Sequence, residues 1–134
     1  MKKMNNKGFS LVELIVVIAI MAVLVGVLAP QFIKYVESSR RSTDVSNAEN
    51  IRSAVLADIA DGAITGSGSS SCTTSGTGIV PSSLGEIPKT KGNKYSVGAD
   101  FKFTYNANAG TCDVFVDTYN LSTSSGVSLY KDQN

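Results

Sequence analysis

The stretch KGFSLVELIVVIAIMAVLVGVLAP, Lys7 to Pro30, constrains this chain more than any other. Between Phe9 and Ala29 every residue except Ser10 and Glu13 is apolar or glycine, and Leu14 to Ala29 is unbroken. At 1.5 Å per helical residue the unbroken part reaches about 24 Å. Extension back to Phe9 and on through Phe32 and Ile33 gives enough length for a hydrocarbon layer of ~30 Å. One reading is a secretory signal with Lys2, Lys3 and Lys7 as its basic region. The apolar run is longer than the usual core of about 7–15 residues, and Pro30 follows directly on the only small-residue cleavage position. A plain membrane anchor accounts for the hydrophobicity but leaves Glu13 unexplained, because a carboxylate at bilayer depth costs at least a few kcal/mol.

The rest of the chain excludes several function classes. Net charge is +1, with no basic patch or arginine-rich helix, so no nucleic-acid site is expected. There is no histidine, and the two cysteines, Cys72 and Cys112, stand far apart, so neither a zinc-ligand set nor a histidine-based dyad exists. Asp113 and Asp117 read as a solvated face rather than a catalytic pair. Asp44, Asp100, Asp113 and Asp117 are too scattered for calcium. We therefore expect no catalytic residue, metal or other cofactor.

Beyond Pro30 the pattern becomes amphipathic. Phe32, Val36, Val45, Ala48, Ile51, Val55 and Ile59 recur mostly at three- and four-residue spacing and predict one buried stripe. Arg40, Arg41, Asp44, Asn47, Glu49 and Arg52 fall on the faces expected to be solvated, with Glu37 and Arg41 spaced for an i,i+4 pair. Gly62 is a suitable C-cap. One helix from about Phe9 to Asp61 follows, with a kink expected at Gly26 to Pro30, since proline removes a donor and clashes one turn back.

The segment GAITGSGSSSCTTSGTG, Gly62 to Gly78, has the composition of a flexible linker. A Cys72–Cys112 disulfide would tie it down and contribute roughly 4 kcal/mol in a compartment where such bonds persist. The alternative is two free thiols. Strands are expected at Lys94–Gly98, Phe101–Tyr105 and Thr111–Tyr119, with a weaker fourth at Gly126–Tyr130 and a hairpin loop at Asn106–Gly110. On the third strand Cys112, Val114 and Val116 should face the helix, while Asp113, Phe115, Asp117 and Tyr119 face outward. Phe115 and Tyr119 are thus either a candidate subunit contact or a cross-strand aromatic pair. The fold class is α+β: a long N-terminal helix on a small antiparallel sheet of about four strands.

KGFSLVELIVVIAI resembles the class III signal of type IV pilins and pseudopilins. The resemblance implies a leader at 1–8, a transmembrane and assembly half-helix at 9–30, an amphipathic half at 31–61, an αβ-loop at 62–93, and the sheet with a C-terminal segment at 94–134. It implies cleavage between Gly8 and Phe9, N-methylation of Phe9, and an assembly role for Glu13, fifth residue of the mature chain, toward the amine of a neighbouring subunit. It also implies that Gly26 to Pro30 can lose helicity in a filament. The implied partners are copies of the chain itself, a prepilin peptidase, a platform protein and an assembly ATPase. The implied route runs from the cytoplasmic membrane, C-terminus outside, to an extracellular pilus serving motility, adhesion or DNA uptake. Lys2, Lys3 and Lys7 are balanced by Lys34, Arg40 and Arg41, so orientation rests on the resemblance and not on charge. A pseudopilin of a secretion or competence system shares the signature. A membrane-tethered enzyme or ligand-binding module would need a site the sequence does not display. Many Gram-negative pilins staple a C-terminal loop with a late cysteine pair. None follows Cys112 here, so a receptor role for that loop is not carried over.

Overall fold

A computed structural model describes residues 8–74, 78–92 and 98–132. The chain divides into two compact units, 1–36 and 37–134. Helix α1, Leu11–Ala60, belongs to both and contains Pro30. In the first unit all its residues through Tyr35 are exposed.

In the second unit the remainder of α1 packs on a four-stranded antiparallel sheet. The strands are β1 (Ser67–Ser71), β2 (Lys102–Asn106), β3 (Thr111–Val116) and β4 (Tyr119–Asn120), neighbours in space in that order. A second helix, α2 (Ser124–Lys131), follows. The expected stripe holds where it meets the sheet. Ala48, Ile51 and Val55 are buried against Phe101, Phe103, Val114 and Val116, and Val45 and Ile59 are half-buried beside them. Phe32 departs from the stripe at 68% exposure.

Gly62 ends α1 as expected. At φ 76° it lets the Gly62 N–H reach Ile59 O and the Ala63 N–H reach Asp58 O, which closes a Schellman motif. The hairpin loop at Asn106–Gly110 also forms, with Asn106 paired to Thr111.

Four expectations need correction. First, the serine-rich linker contains a strand: β1 pairs with β2 over its whole length. Buried Ile64 and Cys72 flank it and pin an otherwise polar segment across the sheet. Second, Gly126–Tyr130 is helical. The Thr123 hydroxyl accepts from the Gly126 N–H at 3.1 Å, an N-cap that outweighs the alternation of Val127, Leu129 and their neighbours. Third, the Thr111–Tyr119 strand stops at Val116, and Asp117 at φ 51° makes the tight turn into β4. Val116 pairs with Tyr119 and Phe115 with Asn120. Directly paired residues share a face, so Tyr119 points inward with Val116 and away from Phe115. Fourth, Arg41 and Asp44 are buried at 7% and 0% exposure, not solvated. The strand expected at Lys94–Gly98 lies outside the described residues, apart from Gly98.

The Cys72–Cys112 disulfide is also overturned: both are free, buried thiols. Cys72 N–H donates to Phe101 O at 2.8 Å, which sets it opposite Phe101, whereas Cys112 pairs with Tyr105. Four residues along β2 and two strand spacings across put the Cα atoms about 16 Å apart. A disulfide tolerates no more than about 7 Å.

Candidate functional site

The N-terminal segment begins with Gly8, Phe9 and Ser10, exposed and not helical, Phe9 at 93%. The helix starts at Leu11, and Glu13 lies in its first turn. The Ser10 N–H donates to Glu13 Oε2 at 2.8 Å, and the Leu14 N–H to Ser10 O at 3.2 Å. Glu13 therefore reaches back to a backbone donor that the helix itself cannot satisfy, as the third helical residue of a capping box does. The S-x-x-E spacing at Ser10 to Glu13 was the signal for it. The helix carries an 18-residue window of mean hydropathy 3.1 that is 0% buried, long and apolar enough to cross a membrane. Gly26 and Pro30 both lie inside α1, which runs through them.

A second constellation was not legible as such. Asp44 and Asp58 sit fourteen positions apart on α1, both buried. Asp58 accepts from Ser82 N–H at 2.7 Å, Ser82 Oγ at 2.6 Å and Ser83 Oγ at 3.1 Å. Asp44 accepts from Lys91 N–H at 2.7 Å, Gly92 N–H at 2.8 Å and Tyr130 Oη at 2.6 Å. The two carboxylates thus clasp the segment 82–92 along the helix, about 21 Å from clasp to clasp. Burial would raise the Asp58 carboxyl, but the Ser82 and Ser83 donors outweigh it and hold it below its ordinary value. Arg41 adds a third tie, from Nη1 to Lys131 O at 3.1 Å at the C-terminal end of α2, where a cation is favoured.

The remaining expected residues do not gather. Phe115 and Tyr119 occupy opposite faces, and Tyr119 stacks obliquely on Tyr130, with centroids 5.9 Å apart. Burial pushes the Cys112 thiol up to about 11, with Asp113 adding to the shift, and burial raises Cys72 likewise. Both are poor nucleophiles. Among the described residues no three His, Cys, Asp or Glu side chains converge as a metal site.

Fold and N-terminal segment together define an α+β protein whose apolar first helix suits a membrane. Residues 3–29 match the family described as the prokaryotic N-terminal methylation motif. The chain is 35% identical over 60 residues to the type IV major fimbrial protein FimA of Dichelobacter nodosus, covering 45% of this chain and 38% of that protein. It is 41% identical over 66 residues to the prepilin peptidase-dependent protein A of Clostridium perfringens, covering 48% of this chain and 47% of that protein. The chain thus spans less than half the length of these curated relatives. No solved structure matches it. The motif and the relatives, with the later part of α1 packed on an antiparallel sheet, together support a type IV pilin.

Proposed function

We propose that this chain is a structural subunit of a type IV pilus. One observation carries the reading: Glu13 is the single carboxylate of the exposed apolar part of α1, residues 11–33, and it stands just past an exposed, non-helical Gly8–Phe9 junction inside a methylation motif. A non-helical junction suits a peptidase, which must hold the scissile bond extended. Hydrolysis there adds water across the Gly8–Phe9 amide, leaving a carboxylate on Gly8 and an amine on Phe9, which then exchanges a proton for the methyl group of a separate methyl donor. That amine stands four residues before Glu13, about 6 Å along the axis were the helix extended to Phe9, and a neighbouring subunit offers a second carboxylate. In a low-dielectric layer the pair is strongly favoured over two separate charges. The exposed aliphatic surface then exchanges lipid for the helices of other subunits. The reading entails a precursor held in the cytoplasmic membrane with its C-terminus outside, a prepilin peptidase, a platform protein and an assembly ATPase as partners, and a homopolymer as product.

The test is the intact mass of the protein in material sheared from its native host. A species beginning at Phe9, one methyl heavier and with both thiols free, is expected to be abundant there. Processed protein confined to the membrane pellet would point instead to a pseudopilin. Retention of Met1–Gly8 wherever the protein accumulates would overturn both the processing and the assembly role of Glu13.

A further inference from the structure

The two aspartate clasps leave a groove between α1 and the segment they hold. Two depressions, of about 530 and 410 Å3, meet at Asn50 and Leu84. Clefts of ~300–1,000 Å3 are of the size that seats aromatic groups. The floor is small, with Ala54 and Ala57 among the α1 residues, and Leu84, Ile87 and Pro88 form an apolar wall with Glu86 beside them.

The same chain carries apolar groups that need such a cover. A hydrocarbon layer of ~30 Å takes about 20 residues of helix, so a segment entering it at Phe9, helical from Leu11, leaves it near Leu28. Phe32, Ile33 and Tyr35 lie one to two turns further on, yet are 68%, 68% and 73% exposed. In a membrane they fall in the headgroup layer, where aromatic side chains are favoured. Once the helix leaves the membrane, that layer is lost.

We propose that the groove receives the Phe32–Tyr35 turn of a second copy of this chain. The inference rests on the pilus-subunit reading and names the surface through which subunits meet outside the apolar helix core. Charge sets the orientation. Lys34 stands within the inserted turn and Glu86 beside the groove, whereas Lys89 is already paired with Asp100. Lys91, at the Asp44 end, repels Lys34 and so favours seating toward Glu86. Complementary charges of this kind fix register more than they add affinity.

The experiment uses full-length protein in its native host. The double variant Tyr35→Cys, Asn50→Cys is expected to give a ladder of disulfide-linked homomultimers in sheared filaments, and each single variant none. Filaments without a ladder would overturn the groove contact while leaving the pilus reading intact. A ladder whose rungs hold another protein would overturn the choice of a second copy. Absence of filaments from the unmodified chain would sink both readings. Should the double-cysteine variant fail to assemble, charge reversal decides. Lys34→Glu and Glu86→Lys should each lower filament yield about tenfold, and the combination should restore it. No loss in the single variants, or no rescue in the double, would overturn the proposal.

Discussion

The Tyr130 hydroxyl donates to Asp44 Oδ2 at 2.6 Å, joining residues 86 positions apart in sequence, both buried. This bond docks α2 onto α1, and the same carboxylate holds Lys91 and Gly92. Tyr130→Phe removes one donor and leaves Asp44 with two, so it should cost about 1–2 kcal/mol. Asp44→Ala removes the acceptor of two backbone N–H groups and of the Tyr130 hydroxyl, and should cost about 3 kcal/mol or more. Denaturant unfolding of the detergent-solubilised chain, followed by tyrosine near-ultraviolet circular dichroism, measures both. Equal losses in the two variants would show that Asp44 does not organise the Lys91–Gly92 backbone.

Gly92 reports on the same cluster independently. A Cβ there would lie 2.7 Å from Tyr130 Oη and 3.1 Å from Asp44 Oδ2. Gly92→Ala should therefore cost about 1–3 kcal/mol by overpacking. In a Tyr130→Phe background the nearer obstacle is gone, and the same substitution should cost much less. A double-mutant cycle reads this as strong coupling. Additive losses would place the strain of Gly92→Ala elsewhere.

Acid should loosen the Asp58 clasp. Its carboxyl titrates below the ordinary value in the folded chain, so its contribution is fully present above the unfolded pKa of about 3.9. That contribution is lost as pH falls through the lower folded value. Asp58→Asn should flatten the dependence of stability on pH below about 4, with little change in its slope near neutrality. Unfolding midpoints at a series of pH values, for wild type and variant, supply the comparison. An unchanged acid slope would rule out Asp58 as a source of it.

The buried thiols give a chemical test of the sheet register. In the folded chain Cys72 and Cys112 should resist a thiol-specific reagent at neutral pH, and two equivalents should react in denaturant. Intact mass without reduction should show no loss of two hydrogens. Such a loss would require β2 to pair in another register, since the present one holds the sulfurs' backbones about 16 Å apart.

What the sequence made legible follows from range. The apolar run from Phe9, the stripe Ala48–Ile51–Val55, the Gly62 cap and the inward face of Cys112, Val114 and Val116 all depend on residues near one another in the chain, where periodicity carries the information. The serine-rich β1 did not show itself because its strand state comes from pairing with β2 thirty-five positions away, against its own composition. The helical state of α2 was hidden by an apparent alternation that one N-cap hydroxyl overrode. Asp44 read as solvent-facing and Asp58 gave no signal, because their partners, Tyr130 and the serines of the 82–92 segment, are named only by the tertiary fold. The two cysteines suggested a bridge by their number, and only the register separates them.

Glu13 caps its helix, and substitutions can separate that role from the assembly role proposed for its charge. As the third residue of a capping box it holds the Ser10 N–H, a local role worth about 0.5–2 kcal/mol that glutamine fulfils as well as glutamate. On the proposed reading it would also attract, as a charge in an apolar layer, the amine released at Phe9, which glutamine would not. Glu13→Gln should therefore accumulate in the membrane, be processed normally, and yet fail to appear in sheared filaments. Glu13→Val, which loses both roles, should be no worse in assembly than Glu13→Gln. Filament yield relative to membrane pool, measured by immunoblot for the two variants, separates the cases. Wild-type yield from Glu13→Gln would mean that the helix cap, and not the charge, is what assembly requires.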